Sequence, residues 1–196
     1  MQYTHVATEG IVDTAVVRRI LAETGVEIAA VYGESGKHHL DKKLGGYNEA
    51  ARHGRRWFVL RDLNGDAECA PTLVPRLLPT PAPDMTFRVA MREIESWLLA
   101  DATAFARFFR VSASRIPIDP DSVRHPKQCL VGIVRSSTSR ATRAAIVPLD
   151  DRGSRVGPGY SSRIIEFVQR HWRPSEASRR SDSLRRCLAR LETLAT

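Results

Sequence analysis

No segment of this chain approaches the roughly 18 consecutive apolar residues that a bilayer crossing requires, so no membrane-spanning helix and no membrane partner are expected. The first ten residues, MQYTHVATEG, lack the basic start, apolar stretch and small-residue cleavage site of a secretory signal. A cytoplasmic protein is the expectation. Cysteine is scarce: Cys69, Cys129 and Cys187 are odd in number, far apart and in no CxxC arrangement. That pattern argues against a disulfide framework or a zinc knuckle and points to buried free thiols.

Several catalytic signatures are also missing. No GxSxG nucleophile elbow is present. The segment Gly33-Glu34-Ser35-Gly36-Lys37-His38 superficially resembles a phosphate loop, but it meets the GxxxxGK[ST] pattern neither in length nor in its last residue. We read it as a surface loop, with a phosphate contact through Lys37, His38 and His39 as the lesser alternative. The adjacent pair His38 and His39 lacks the i, i+4 spacing of zinc ligands on a helix. Internal repeats and low-complexity tracts are absent as well.

Charge, by contrast, is abundant and unevenly placed. Of 196 residues with a net charge of +8, positions 1–123 carry 15 Lys/Arg against 16 Asp/Glu, and positions 124–196 carry 15 against 6. The excess therefore lies in the last third. A one-sided basic surface concentrates phosphate and gives sequence-independent, salt-sensitive affinity for nucleic acid, DNA or RNA. The bland alternative is a set of basic helices that only face water.

Hydrophobic patterning gives the fold class. Strand-like segments are expected at His5 to Thr8, Glu27 to Tyr32, Trp57 to Leu63 and Met85 to Met91. Helical patterns separate them at Thr14 to Glu23, Leu40 to Arg52 and Pro71 to Leu78, and a further helix is expected at Glu93 to Ala100. This alternation predicts an α/β fold with a parallel four-stranded sheet flanked by helices. Beyond residue 110 the strand signal stops. Short helices follow, clearest at Ser161 to Trp172 and Ser183 to Leu194, and Arg135 to Arg155 reads as a mobile loop. The domains expected are 1–110, the α/β domain, and 111–196, a basic helical extension packed on it.

In open α/β sheets, ligands gather at the carboxyl ends of the strands. Three of the expected strand ends carry carboxylates: Thr8-Glu9-Gly10, the run from Arg61 through Asp62 and Asn64 to Asp66, and Arg92-Glu93-Ile94-Glu95. Carboxylates from separated segments suit Mg²⁺ or Mn²⁺, hard ions that take a few acidic ligands and several waters. Taken alone, Asp62-Leu63-Asn64-Gly65-Asp66 is a polar turn after a buried strand. Glu93 and Glu95 cannot share a helix face at two-residue spacing, so only one reaches such a site, and Glu93 could instead stabilise a helix N-terminus. Glu95 could answer a buried arginine. Val156 to Tyr160 reads as a turn and helix start, capped by Ser161 or Ser162, with Tyr160 able to stack on a base.

The Glu9-Gly10 turn and the later Asp62-x-Asn64 element resemble the Toprim arrangement of an early glutamate and a DxD motif. More narrowly, VATEGIVDTAVV, WFVLRDLNGDAECA, FRVAMREIESWLLAD and VGPGYSSRIIEFVQRHW resemble a bacterial family catalogued as domain of unknown function 4276, considered Toprim-like. The resemblance implies a Toprim-like fold and, by relation to topoisomerases, primases and OLD-type nucleases, metal-dependent phosphodiester chemistry and a role in phage defence. Glu9, Asp62 and Asp66 would then be catalytic. The metal set would be Glu9, Asp62, Asn64, Asp66 and, in a secondary place, Glu93. Asn64 stands where the motif has its second acid. It supports an alternative: a catalytically inactive nucleic-acid-binding or regulatory protein acting with a partner protein from a neighbouring gene.

Overall fold

Strands buried on both faces must be apolar nearly throughout, and the segment Trp57–Asp62 is buried at every position. It is an inner strand of the sheet. The computed structural model describes residues 3–149 and 154–195. The expected α/β fold is found: strands β1 (Thr4–Thr8), β2 (Ile28–Gly33), β3 (Trp57–Asp62) and β4 (Met85–Ala90) form one sheet in the order β2-β1-β3-β4. All three pairings are parallel. The intervening helices are α1 (Ile11–Thr24), α2 (Lys37–Arg52) and α3 (Ala70–Leu77).

Period-two alternation divides the strand residues between two faces. On one face Ala7, Val59, Phe87 and Val89 pack with Leu40, Leu44 and Ala51 of α2 and Leu73 of α3. Those α2 positions are spaced four and seven apart, which keeps them on one helix face. Asn48 shares that face, and it pins the proline-rich turn by donating to the Thr80 carbonyl and accepting the Ala82 N–H. Helix α1 lies against β1 and β2, with Val16, Val17, Ile20 and Leu21 fully buried. It ends at Gly25, whose φ of 71° provides the left-handed cap.

The rest of the chain is helical: α4 (Glu95–Ala100), α5 (Ala102–Phe109), α6 (Pro126–Val134), α7 (Arg140–Ile146), α8 (Tyr160–Arg170), α9 (Pro174–Ala177) and α10 (Asp182–Ala195). The folded chain divides into one unit that runs through Met91 and takes in the chain from Arg186 on, and a second, Arg92–Arg185. That division follows contacts within each unit, whereas the boundary drawn at residue 110 followed where strand signals end in the sequence. Trp97, Phe105, Phe109, Phe167 and Trp172 fill the core of the second unit.

Four expectations are corrected here. The segment expected as a mobile loop contains α7, because Ser139 caps that helix by accepting the Thr142 N–H and its Thr142 and Ile146 are buried one turn apart; positions 150–153 of that segment lie outside the described residues. Helix α8 starts at Tyr160 after Gly159 with no side-chain cap, so neither Ser161 nor Ser162 caps it. The amides of Gly157 and Gly159 donate to the Ile146 and Ala145 carbonyls, and a Cβ on Gly157 would lie 2.5 Å from the Ala145 oxygen. Tyr160 is buried and donates its hydroxyl proton to Glu95 Oε1 at 2.6 Å; its ring is not available for stacking on a base. The cysteines are free as expected, but of the three only Cys187 is buried.

Candidate functional site

The chain leaves β1 for β2 on one side and later crosses to β3 on the other. This reversal makes the carboxyl ends of β1 and β3 the topological switch point, the usual ligand position in such sheets. The first strand delivers Glu9 to it. Thr8, fully buried, fixes the turn through a 2.7 Å hydrogen bond between its hydroxyl and that of Thr14. The loop after β2 clasps the same backbone: Glu34 N–H donates to the Thr8 carbonyl and Gly36 N–H to that of Glu9. This close approach requires Gly33, where a Cβ would fall 2.2 Å from the Thr8 carbonyl oxygen. The glycine-containing loop thus supports the Glu9 turn.

The third strand delivers Asp62, 6% exposed. Backbone pairing of β1 with β3 ends at Ala7 and Val59, and past that point the Glu9 side chain takes over: its Oε1 accepts the Asp62 main-chain N–H at 2.8 Å. Asn64 follows with φ of 51° and Gly65 with φ of 82°, a left-handed bend that Asn and Gly tolerate best. The bend carries the Asn64 Nδ2 to 3.5 Å from Glu9 Oε2 and closes with the Asp66 N–H donating to the Leu63 carbonyl.

Beside this pair lies a charge network. The Arg61 side chain is 3% exposed; its Nε and Nη2 each donate to Asp41 at 2.9 Å, and Nη2 also donates to Asp66 at 2.7 Å. Its Nη1 donates to the Asp62 carbonyl at 2.6 Å, so the guanidinium ties the end of β3 to both acids. Lys37 Nζ donates to the two Asp66 oxygens at 2.9 and 3.0 Å. Sequence reading missed Asp41, and it started α2 three residues late. With the helix beginning at Lys37, Lys37 and Asp41 stand one turn apart and face the same strand end. An arginine inside the buried run WFVLRD was the available signal that a counter-charge had to be near.

The electrostatics separate the acids. Burial pushes the Glu9 carboxyl above its ordinary range, against the Asp62 N–H and the charges of Arg61 and Lys37, while Asp41 adds to the upward push. For Asp66 burial also acts upward, but the bonds and charges of Lys37 and Arg61 outweigh it and hold the carboxyl low. Arg61 is itself held well above its ordinary value, since burial is outweighed by Asp41 and Asp66.

The structure brings together Glu9, Asp62 and Asn64, and through Arg61 it links Asp66 to them. Glu93 belongs to the second unit. There its Oε2 accepts the N–H of Lys127 at 2.8 Å, in the first turn of α6, so the carboxylate stabilises the start of a helix other than its own. Glu95, 1% exposed, answers Lys127 at 3.3 Å and Tyr160 where an arginine was the expected partner.

Among the described residues, no group of three or more His, Cys, Asp or Glu side chains is gathered as a metal cage. Asp66 is committed to two cations. Glu9 and Asn64 meet at the end of β3 beside the Asp62 main chain; an ion such as Mg²⁺ keeps most of its waters and binds one or two carboxylates plus substrate phosphate. In the basic last third, Arg163, Arg173, Arg179 and Arg185 pair with Glu166, Asp101, Glu176 and Asp182, which removes part of the excess charge from any ligand. No helix among the described residues is long and apolar enough to cross a membrane. No family model, curated protein or solved structure matches this chain.

Proposed function

We propose that this chain is a cytoplasmic, Toprim-like protein that cleaves or otherwise processes nucleic-acid phosphodiesters with Mg²⁺ or Mn²⁺. The supporting observation is the meeting of Glu9 and Asp62 at the carboxyl ends of β1 and β3, with the Glu9 carboxylate 2.8 Å from the Asp62 main-chain nitrogen. Glu9 and Asp62 hold the ion, and the Asn64 amide lies beside them. A bound divalent ion polarises a phosphate oxygen and lowers the pKa of an attacking water. Glu9, whose carboxyl burial pushes upward and whose Oε1 is fixed by the Asp62 N–H, serves as metal ligand or general acid/base through Oε2. Arg61 orients the end of β3 through the Asp62 carbonyl. The test is cleavage of single- and double-stranded DNA and RNA with Mg²⁺ or Mn²⁺. Wild-type activity that disappears in Asp62→Ala, with the melting transition kept, is the expected result; cleavage retained in that variant removes the mechanism.

A second reading has its own observation. Asp66 is neutralised by Lys37 and Arg61, and Asn64 replaces an acid, which favours a protein that binds nucleic acid or regulates a partner protein without turnover. Nucleic-acid binding without metal-dependent cleavage, and without carboxylate-dependent metal binding, selects it.

A further inference from the structure

Arg88 stands in β4 between Phe87 and Val89, both of which face the α2 and α3 side of the sheet. Alternation therefore sends Arg88 to the opposite face. Leu60 pairs with Arg88 and Asp62 with Ala90, so Asp62 and Arg88 share that face on neighbouring strands. Arg88 lies two residues short of the strand end that carries Asp62, about 7 Å along the strand direction at ~3.3 Å per residue.

Among the described residues no carboxylate is paired with this guanidinium. Nη2 of Arg88 donates to the main-chain carbonyl of Arg186 at 2.7 Å, and its Nε is buried without a hydrogen-bond partner. Arg61, the other inward arginine of the sheet, is matched by two carboxylates. The titratable neighbours of Arg88 are the buried thiol of Cys187 and the arginines Arg186 and Arg190, one turn apart and exposed on α10. Burial pushes the Arg88 guanidinium below its ordinary value, Cys187 works against it, and the like charges of Arg190 and Arg186 add to the downward push. Arg190 donates to the Thr193 hydroxyl at 3.3 Å. A half-buried guanidinium flanked by two more cations costs stability unless an anion completes it. Guanidinium forks are well matched to phosphate oxygens.

We propose that Arg88, Arg186 and Arg190 anchor one phosphate of a nucleic-acid strand, on the same sheet face as Asp62 and beside the phosphate to be processed. The proposal rests on the phosphodiester reading above and adds to it a residue-level binding site in the sheet unit. Arg88 sets the anchor's position because β4 fixes it relative to Asp62. Arg186 and Arg190 supply the exposed charge that captures the strand.

Anisotropy of a labelled single strand and of a duplex, measured in EDTA across a salt series, tests the anchor without any contribution from cleavage. The Arg186→Gln/Arg190→Gln double variant is expected to bind about tenfold more weakly, and its slope of log affinity against log salt is expected to fall by about 0.7 to 0.9, the release from one phosphate contact. Arg88→Gln with an unchanged melting temperature is expected to weaken binding in the same direction. Arg18→Gln, an exposed arginine on α1, keeps wild-type affinity. Wild-type affinity and slope in the double variant overturn the anchor but leave metal-dependent cleavage standing; absence of oligonucleotide binding in the wild type overturns both. Inorganic phosphate is expected to compete only weakly, and competition as strong as that of the oligonucleotide identifies a free-anion site and overturns the nucleic-acid assignment. Cleavage that is absent in wild type or retained in Asp62→Ala, with the binding pattern intact, removes the catalytic reading alone.

Discussion

The Glu9 side chain occupies the place of a missing strand residue: beyond the last backbone pairing of β1 with β3, its Oε1 accepts the Asp62 N–H at 2.8 Å. A carboxylate thus completes the sheet at the point where a ligand would sit. The bond fixes one oxygen and leaves the other toward Asn64. Structure and chemistry therefore compete for the same group, and this competition has measurable consequences.

Glu9→Gln is expected to raise stability near neutral pH in the presence of a chelator. The folded-state pKa of Glu9 lies above its ordinary 4.5 because of burial. Its ionised form therefore costs the folded state stability, and that cost develops as pH rises through the raised value. A glutamine keeps an acceptor for the Asp62 N–H and carries no charge. Urea unfolding at pH 4 and pH 8 checks the sign: the advantage of the variant over wild type should be near zero at the lower pH and largest at the higher. An advantage that shrinks with rising pH contradicts the assignment.

Arg61→Met is expected to destabilise by about 3 kcal/mol, since it leaves the acids Asp41 and Asp66 without their shared guanidinium. Arg61→Lys should restore only part of this, because an ammonium cannot reproduce a fork that reaches Asp41 twice, Asp66 and the Asp62 carbonyl. Denaturant midpoints at neutral pH provide the comparison. Equal stability of the methionine variant and wild type contradicts a structural role for the network.

Much of this was readable in the sequence. All four strands fall within a residue or two of where β-branched and aromatic runs placed them, and the carboxylates at the ends of β1 and β3 followed from that placement. Other features were hidden for local reasons. Lys37, His38 and His39 form the first turn of α2, but three polar residues after a glycine carry no periodic signal. Asp41 lay concealed in the same way, since a charged residue within an amphipathic helix reads as part of the solvated face. Asp66 was legible as an acid near the site, yet nothing local told that Arg61 would reach it from inside the strand. Glu93 sits just after β4 in the chain, but its carboxylate serves a helix more than thirty positions later, a pairing that no spacing rule reveals.

Gly33→Ala is expected to cost about 2 kcal/mol and to disturb the Glu9 turn. The residue has φ of 95°, a region strained for any side chain, and the added Cβ meets the Thr8 carbonyl oxygen. Thermal unfolding checks the loss, and any metal affinity should fall with it. A variant as stable as wild type contradicts the close approach of β2 to the β1 turn.

In the proposed function, two acids from separate strands, Glu9 and Asp62, hold one ion. Calorimetric titration of Mn²⁺ into wild type, Glu9→Gln and Asp62→Asn measures this directly. Saturable binding by wild type that weakens about tenfold or more in each variant is the predicted outcome. A wild type that binds no Mn²⁺, or variants that bind it as well as wild type does, contradicts the claim.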